Sequence, residues 1–383
     1  MINKVFPILA ISVFSSMLGT GIIAPLLPLY ADTLGATGIW IGIIFSGFSI
    51  SRALIMPLIG RLSDQRGERK AFLCAGLLFY AVISLGYVWA GGVTELAVVR
   101  LVHGLAAGMI IPIAQAYVGD LAPQGEEGKW MGYFNSAFFA GFGVGPLLGG
   151  ALTDSFSMAT AFYSMGALNL FAFIVALVWL PKTRHSKSKN TSEHTPLRQM
   201  LRSNMIKGIF SFRLTTAFLR GAFSCFLPIF ASLFLDLSPT KIGLVLCLNT
   251  LTTALLQIFS GRLADIFDRR KLVVIGSLVD VVILCSIPFL ESFSQLVILC
   301  AISGTGKAIS MPAASGLTVA EGRKYGMGSA IGVFTLGMSL GMAIGPIASG
   351  AIMDQIGINW VFFVAAGVAL LGTGVFLFFT KQE

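Results

Sequence analysis

Charge is the scarcest ingredient of this chain. Only 11% of its 383 residues are Asp, Glu, Lys or Arg, while 56% are apolar and the mean hydropathy is +0.86, which excludes a water-soluble globular protein. Catalytic and nucleotide signatures are missing too: there is no GxxxxGK[ST] loop, no HExxH helix and no paired catalytic carboxylates. The five cysteines (Cys74, Cys225, Cys247, Cys285, Cys300) lie inside apolar runs without CxxC or metal-ligand spacing, so they read as small apolar fillers. No metal, cofactor or nucleic-acid partner is expected. Acids are almost absent from the apolar runs; the first contains none, and Asp280 is the one acid away from a run's ends, Glu95 lying at the edge of the fourth.

What is present are twelve runs long enough to cross a hydrocarbon core of ~30 Å. They cover residues 5–30, 38–59, 71–92, 94–119, 131–153, 159–180, 208–235, 241–260, 272–290, 294–319, 327–352 and 359–380. The first is too long for a signal peptide and has no small-residue cleavage site, so it reads as a retained span. Of the 26 Lys and Arg, five lie deep inside runs, one (Lys241) lies at the edge of a run on one side, and the other 20 lie on the opposite side. The positive-inside rule then places both termini in the cytoplasm of a multi-pass protein of the inner or plasma membrane. The exterior loops are short and acidic, with Asp32, Glu95, Asp154, Asp236, Glu291 and Asp354.

The chain repeats itself. Gly60–Lys70 (GRLSDQRGERK) returns as Gly261–Lys271 (GRLADIFDRRK), and Gly141–Gly150 (GFGVGPLLGG) returns as Gly341–Gly350 (GMAIGPIASG). Asp154 and Asp354 follow the second pair, and Gly104 and Pro112 are matched by Gly304 and Pro312. Two copies give a division into residues 1–181 and 208–383. They are joined by a polar, basic linker, 182–207, that suits an anionic inner leaflet and holds a short amphipathic helix near 197–206.

These motifs resemble the major facilitator superfamily, and more narrowly its drug–proton antiporter branch. Gly60-Arg61-Leu62-Ser63-Asp64 with Gly67 and Arg69 is similar to that family's loop 2–3 signature, Arg100 with Gly104 to its span 4 signature, and Gly141–Gly150 to its antiporter pattern in span 5. Gln65 and Glu68 depart from the usual basic residues, and Asp268 aligns with the glycine in the second copy. The resemblance implies an all-α integral membrane fold of twelve transmembrane helices. It implies two six-helix bundles related by a pseudo-two-fold axis along the membrane normal, working by alternating access as a monomer. It also implies a gating set: Gly60, Asp64, Arg66, Gly67, Arg69 and Asp120 at the charged turn, and Gly145-Pro146 and Gly345-Pro346 as hinges.

Charge bookkeeping carries the functional expectation. Arg52, Arg100, Arg213, Arg220 and Lys307 stand against the one acid, Asp280, and a mid-membrane charge costs a few kcal/mol unless it faces water or a partner. Arg52, Arg100, Arg220 and Lys307, with the polar Gln115, Asn249 and Gln257, are the candidate substrate-binding residues, and the implied cargo is anionic or zwitterionic. Arg213 is close enough to the cytoplasmic end to snorkel. Asp280 and His103 are the candidates for proton coupling. The expected function is a secondary active transporter, not an enzyme, exporting a small amphipathic organic anion or several drugs. Uptake or exchange of an anionic metabolite is the alternative, and a membrane-embedded sensor or enzyme a remote one.

Overall fold

The computed structural model describes residues 2–123, 126–181 and 203–381. Among them the chain forms twelve long helices and no strand: α1 (Ile2–Thr33), α2 (Gly38–Arg66), α3 (Arg69–Trp89), α4 (Val93–Leu121), α5 (Glu127–Ser155) and α6 (Met158–Trp179), then α7 (Asn204–Leu235), α8 (Pro239–Ile266), α9 (Arg269–Ser286), α10 (Phe293–Tyr325), α11 (Met327–Ile356) and α12 (Ile358–Thr380). All twelve are long and apolar enough to cross a membrane. A helix satisfies every backbone N–H and C=O within one segment, which is what a chain without water around it requires. A short 3-10 turn at Ile287–Phe289, with Pro288 inside it, follows α9.

The helices overrun the apolar runs. α2 continues through Gly60–Arg66, so most of the charged loop 2–3 segment is helical and the turn is only Gly67-Glu68. Gly67 has φ +66°, a conformation that penalises any Cβ. The second copy solves the same turn differently. There α8 ends at Ile266, Phe267-Asp268 forms the turn without a positive φ, and Asp268 caps α9 by accepting from the Arg270 N–H at 2.8 Å. Asp268 therefore does not occupy a glycine's conformation; the turn has slipped by one residue. The helix expected near 197–206 lies mostly outside the described residues. From Ser203 onward the chain is α7, whose first turn is capped by the Ser203 hydroxyl at 3.3 Å from the Ile206 N–H.

The described residues fall into two compact units, one within Met1–Ala36, Gly47–Lys189 and Leu237–Cys247, the other within Thr37–Ser46, Asn190–Asp236 and Leu248–Glu383. This departs from the 1–181 and 208–383 division only in the first turns of α2 and α8. In the first unit α1 packs on α5 and α6, and α3 on α4 and α6; in the second α7 packs on α11 and α12, and α9 on α10 and α12. The packing thus repeats as the sequence does.

The repeated glycines make the closest of these contacts. A Cβ on Gly145 would lie 2.5 Å from the Gly21 Cα, one on Gly141 2.4 Å from the Phe14 carbonyl, and one on Gly341 2.2 Å from the Leu214 carbonyl. Backbones this close need residues without side chains. Pro146 and Pro346 sit inside continuous helices. Gly60 has open space where its Cβ would be, so packing does not dictate it.

Candidate functional site

The five intramembrane cations, four of them expected to bind cargo and Arg213 to snorkel, are sorted by their surroundings in the structure. In the first unit Arg100 is 6% exposed. Its guanidinium lies 4.3 Å from the Phe48 ring centroid, and Nη1 donates to the Tyr87 hydroxyl and approaches His103 Nδ1, each at 3.3 Å. The Tyr87 hydroxyl is 2.6 Å from the same Nδ1. Since a guanidinium only donates, Nδ1 is the accepting nitrogen and the imidazole proton sits on Nε2, which is buried without a hydrogen-bond partner among the described residues. Tyr80 stacks edge-on against His103 with centroids 4.0 Å apart, and its hydroxyl pairs with Thr20 at 2.7 Å. This is a closed aromatic box around a buried cation. The charge of Arg100 is met here by the Phe48 ring and the Tyr87 hydroxyl, and His103 hydrogen-bonds within the same cluster. Arg52 is half-buried one turn beyond Phe48, 5.9 Å from the same ring.

The second unit is built otherwise. Asn249 on α8 is buried; its Nδ2 donates to the Cys300 carbonyl at 2.6 Å, which fixes the amide so that Oδ1 accepts from Lys307 Nζ at 3.3 Å. Lys307 also lies 4.7 Å from the Phe223 ring centroid. Asp280 on α9 is buried, accepts from the Ser303 hydroxyl at 3.4 Å, and interacts electrostatically with both Lys307 and Arg220. It borders a cavity of about 10 Å³, at the threshold for one water, with Thr215, Thr216 and Ser277. Arg220, near the middle of α7, is exposed and makes no hydrogen bond or ion pair among the described residues. A guanidinium at that depth is not tolerated by lipid, so the space it meets must be wet. Two cations therefore share one carboxylate here. Gln115 and Gln257 stand half-buried on α4 and α8.

Arg213 does not snorkel. It is 8% exposed and turned inward, its Nη2 2.8 Å from Met338 Sδ, its Nη1 3.4 Å from Met311 Sδ, and its guanidinium 4.5 Å from the Phe334 ring centroid.

At the charged turn Arg69, not Arg66, is the centre. Arg69 is buried, with Nη2 2.6 Å from Asp64, Nε 3.0 Å from Asp120 and Nη1 2.9 Å from the buried Ser63 hydroxyl. Arg66 is exposed. In the second copy Arg269 takes this place, donating to the Ala264 and Gly316 carbonyls and pairing with Asp265 at 3.1 Å. Sequence reasoning missed the helix ends nearby. Lys70 Nζ donates to the Leu180 carbonyl at 2.5 Å and Arg270 to the Thr380 carbonyl, each capping the last helix of its copy. The buried Glu321 holds Ser203 at 2.9 Å and Lys324 at 2.7 Å. At the opposite helix ends Asp354 accepts from the Gly38 and Ile39 N–H groups at 2.6 and 2.9 Å, and Asp154 from Thr240 at 2.9 Å. The matched positions of Asp154 and Asp354 were the signal that could have found the second pair, whereas the motif match of Lys70 to Lys271 hides that Arg270 takes the place of Lys70 after the turn's slip.

The family model for the Major Facilitator Superfamily matches residues 9–234 and 209–383. The chain belongs to that superfamily. It is thus a multi-pass membrane protein and a secondary transporter rather than an enzyme. An uncharacterised MFS-type transporter of Methanocaldococcus jannaschii is 30% identical over 356 residues, covering 91% of each chain. The quinolone resistance protein NorA of Staphylococcus aureus is 27% identical over 382 residues, covering 98% of this chain and 96% of NorA. The fold is similar to that of a bacterial homologue of the human lysosomal transporter Spinster, with a TM-score of 0.85, 13% identity, and 99% of this chain and 97% of that one covered. Among the described residues no cluster of His, Cys, Asp or Glu could hold a metal.

Proposed function

We propose that this superfamily member moves a small amphipathic organic anion, with Arg220 and Lys307 as its counter-charges and Asp280 as the group that couples transport to protons. The observation that carries this reading is the second unit's imbalance: an exposed arginine in mid-helix and a lysine beside it share one buried carboxylate. A wet, uncompensated cationic site attracts an anion and excludes cationic cargo. Asp280 faces both cations, so its protonation strengthens the site's pull on an anion and its ionisation weakens it. Asn249 orients Lys307, and Arg52 is the first unit's candidate contact. Arg100 is left out because its guanidinium is enclosed. Export from the cytoplasm is the direction favoured by the likeness to a drug-resistance protein; the electrostatics alone serve uptake or anion exchange equally.

The test is flux of labelled organic anions and cations into proteoliposomes under pH gradients of both signs. Anion flux that responds to the gradient, and that Arg220→Ala and Lys307→Ala each abolish while folded protein remains in the membrane, is the expected result. Flux of anions at parental rates in both variants, or flux of cations alone, overturns the reading.

A further inference from the structure

Arg213 is the most anomalous charge in the molecule. It lies on α7 seven residues from Arg220, hence two turns away on the same face and about 10 Å along the axis. Its guanidinium is buried among α7, α10 and α11, and Nε has no hydrogen-bond partner among the described residues. The groups it does meet are two thioethers and a benzene ring. Thioether sulfur is a weak acceptor, and a ring face offers a cation only a modest attraction. Neither replaces the hydration that an unpaired ion loses on burial. Among the described residues no carboxylate completes the shell: Glu321 is held by Ser203 and Lys324, and Asp280 lies with Arg220 and Lys307.

The wall around Arg213 is as informative as the missing partner. Met311, Met338 and Phe334 are each half-buried. Methionine is unbranched and adapts to varied shapes, and its sulfur packs well against aromatic edges. A planar carboxylate matches the guanidinium fork, and an aromatic body suits the methionine and phenylalanine wall.

We propose that Arg213 is a second anion-binding point, selective for aromatic monocarboxylates, at which the Met338 and Met311 sulfurs are stand-in acceptors that an arriving carboxylate displaces. It deepens the anion-transport reading by naming the class of cargo. An anion passing along α7 meets Arg213 and Arg220 in turn on one helix face.

The experiment measures binding of 2-naphthoate and hexanoate to the purified full-length protein by calorimetry and thermal shift, beside competition by both in the proteoliposome assay. The parent binds naphthoate saturably and more tightly than hexanoate. Arg213→Gln weakens naphthoate by about tenfold, the loss typical of a charged hydrogen bond, and erases the aromatic preference. Met338→Leu, which removes a stand-in acceptor and keeps the apolar wall, tightens naphthoate. Unchanged naphthoate affinity in Arg213→Gln overturns the inference, as does equal loss of both ligands or a Met338→Leu variant weakened as much as Arg213→Gln. If no anion is transported yet naphthoate binds and Arg213→Gln abolishes it, the transport reading fails and this one stands. If Arg220→Ala and Lys307→Ala stop anion flux while Arg213→Gln keeps the parental preference, the reverse holds.

Discussion

Arg69 shows how burial ranks partners that a sequence lists as equals. Its guanidinium binds two carboxylates, but the Asp64 side chain is 62% exposed and that of Asp120 only 12%. An exposed ion pair contributes about 1 kcal/mol or less, whereas a buried cation deprived of its buried partner loses several. Asp120→Asn should therefore lower the melting temperature clearly and Asp64→Asn hardly at all, measured by thermal unfolding in the same detergent. Equal shifts would show that burial does not rank the pair. If Asp64 acts in gating, Asp64→Asn slows turnover without changing which compounds compete for transport; a changed competition profile at parental turnover counts against that role. Intramembrane arginines divide by the same logic. Arg100 has a ring and a hydroxyl, Arg213 has thioethers, and Arg220 has open space and a share of the Asp280 charge, so three identical side chains carry three different consequences.

Helices in this fold approach through glycine, and two glycines of the repeated motifs behave in opposite ways. A methyl group at Gly145 meets the Gly21 Cα at 2.5 Å and can be accommodated only by moving α1 away from α5. Overpacking of this kind costs about 1–3 kcal/mol, so Gly145→Ala should be visibly less stable. Gly60→Ala enters open space within a helix and gains helix propensity, about 0.5–1 kcal/mol, so its stability should be equal or higher. Thermal unfolding of the two variants checks both. A Gly60→Ala variant that unfolds like the parent but transports poorly would place the need for glycine in a conformation other than this one. The turn after α2 follows a similar rule: the first copy uses a positive-φ glycine, while the second shifts by a residue and uses an aspartate cap.

At the scale of the whole molecule, the twelve helices and their duplication were legible because hydropathy and motif repetition are properties of the sequence itself. Most of the site was not. Sequence placed Lys307, Asn249 and Asp280 on separate spans, and only packing brings them to hydrogen-bond and electrostatic range. Depth along a span suggested that Arg213 snorkels, but depth does not reveal which way a side chain turns. Orientation in the membrane remains a statement about charge: Arg61, Arg66, Arg69 and Lys70 lie at one end of their helices, and Lys241 at the other. If the basic ends face the cytoplasm, a cysteine replacing Lys241 reacts with an impermeant maleimide added to intact cells, and one replacing Lys271 reacts only after permeabilisation. The native background is low, since four of the five free cysteines are buried and Cys285→Ser removes the partly exposed one. The opposite labelling pattern would invert the topology. Positive residues would then have crossed the membrane against the potential that ordinarily retains them, and the direction argued for the anion would invert too.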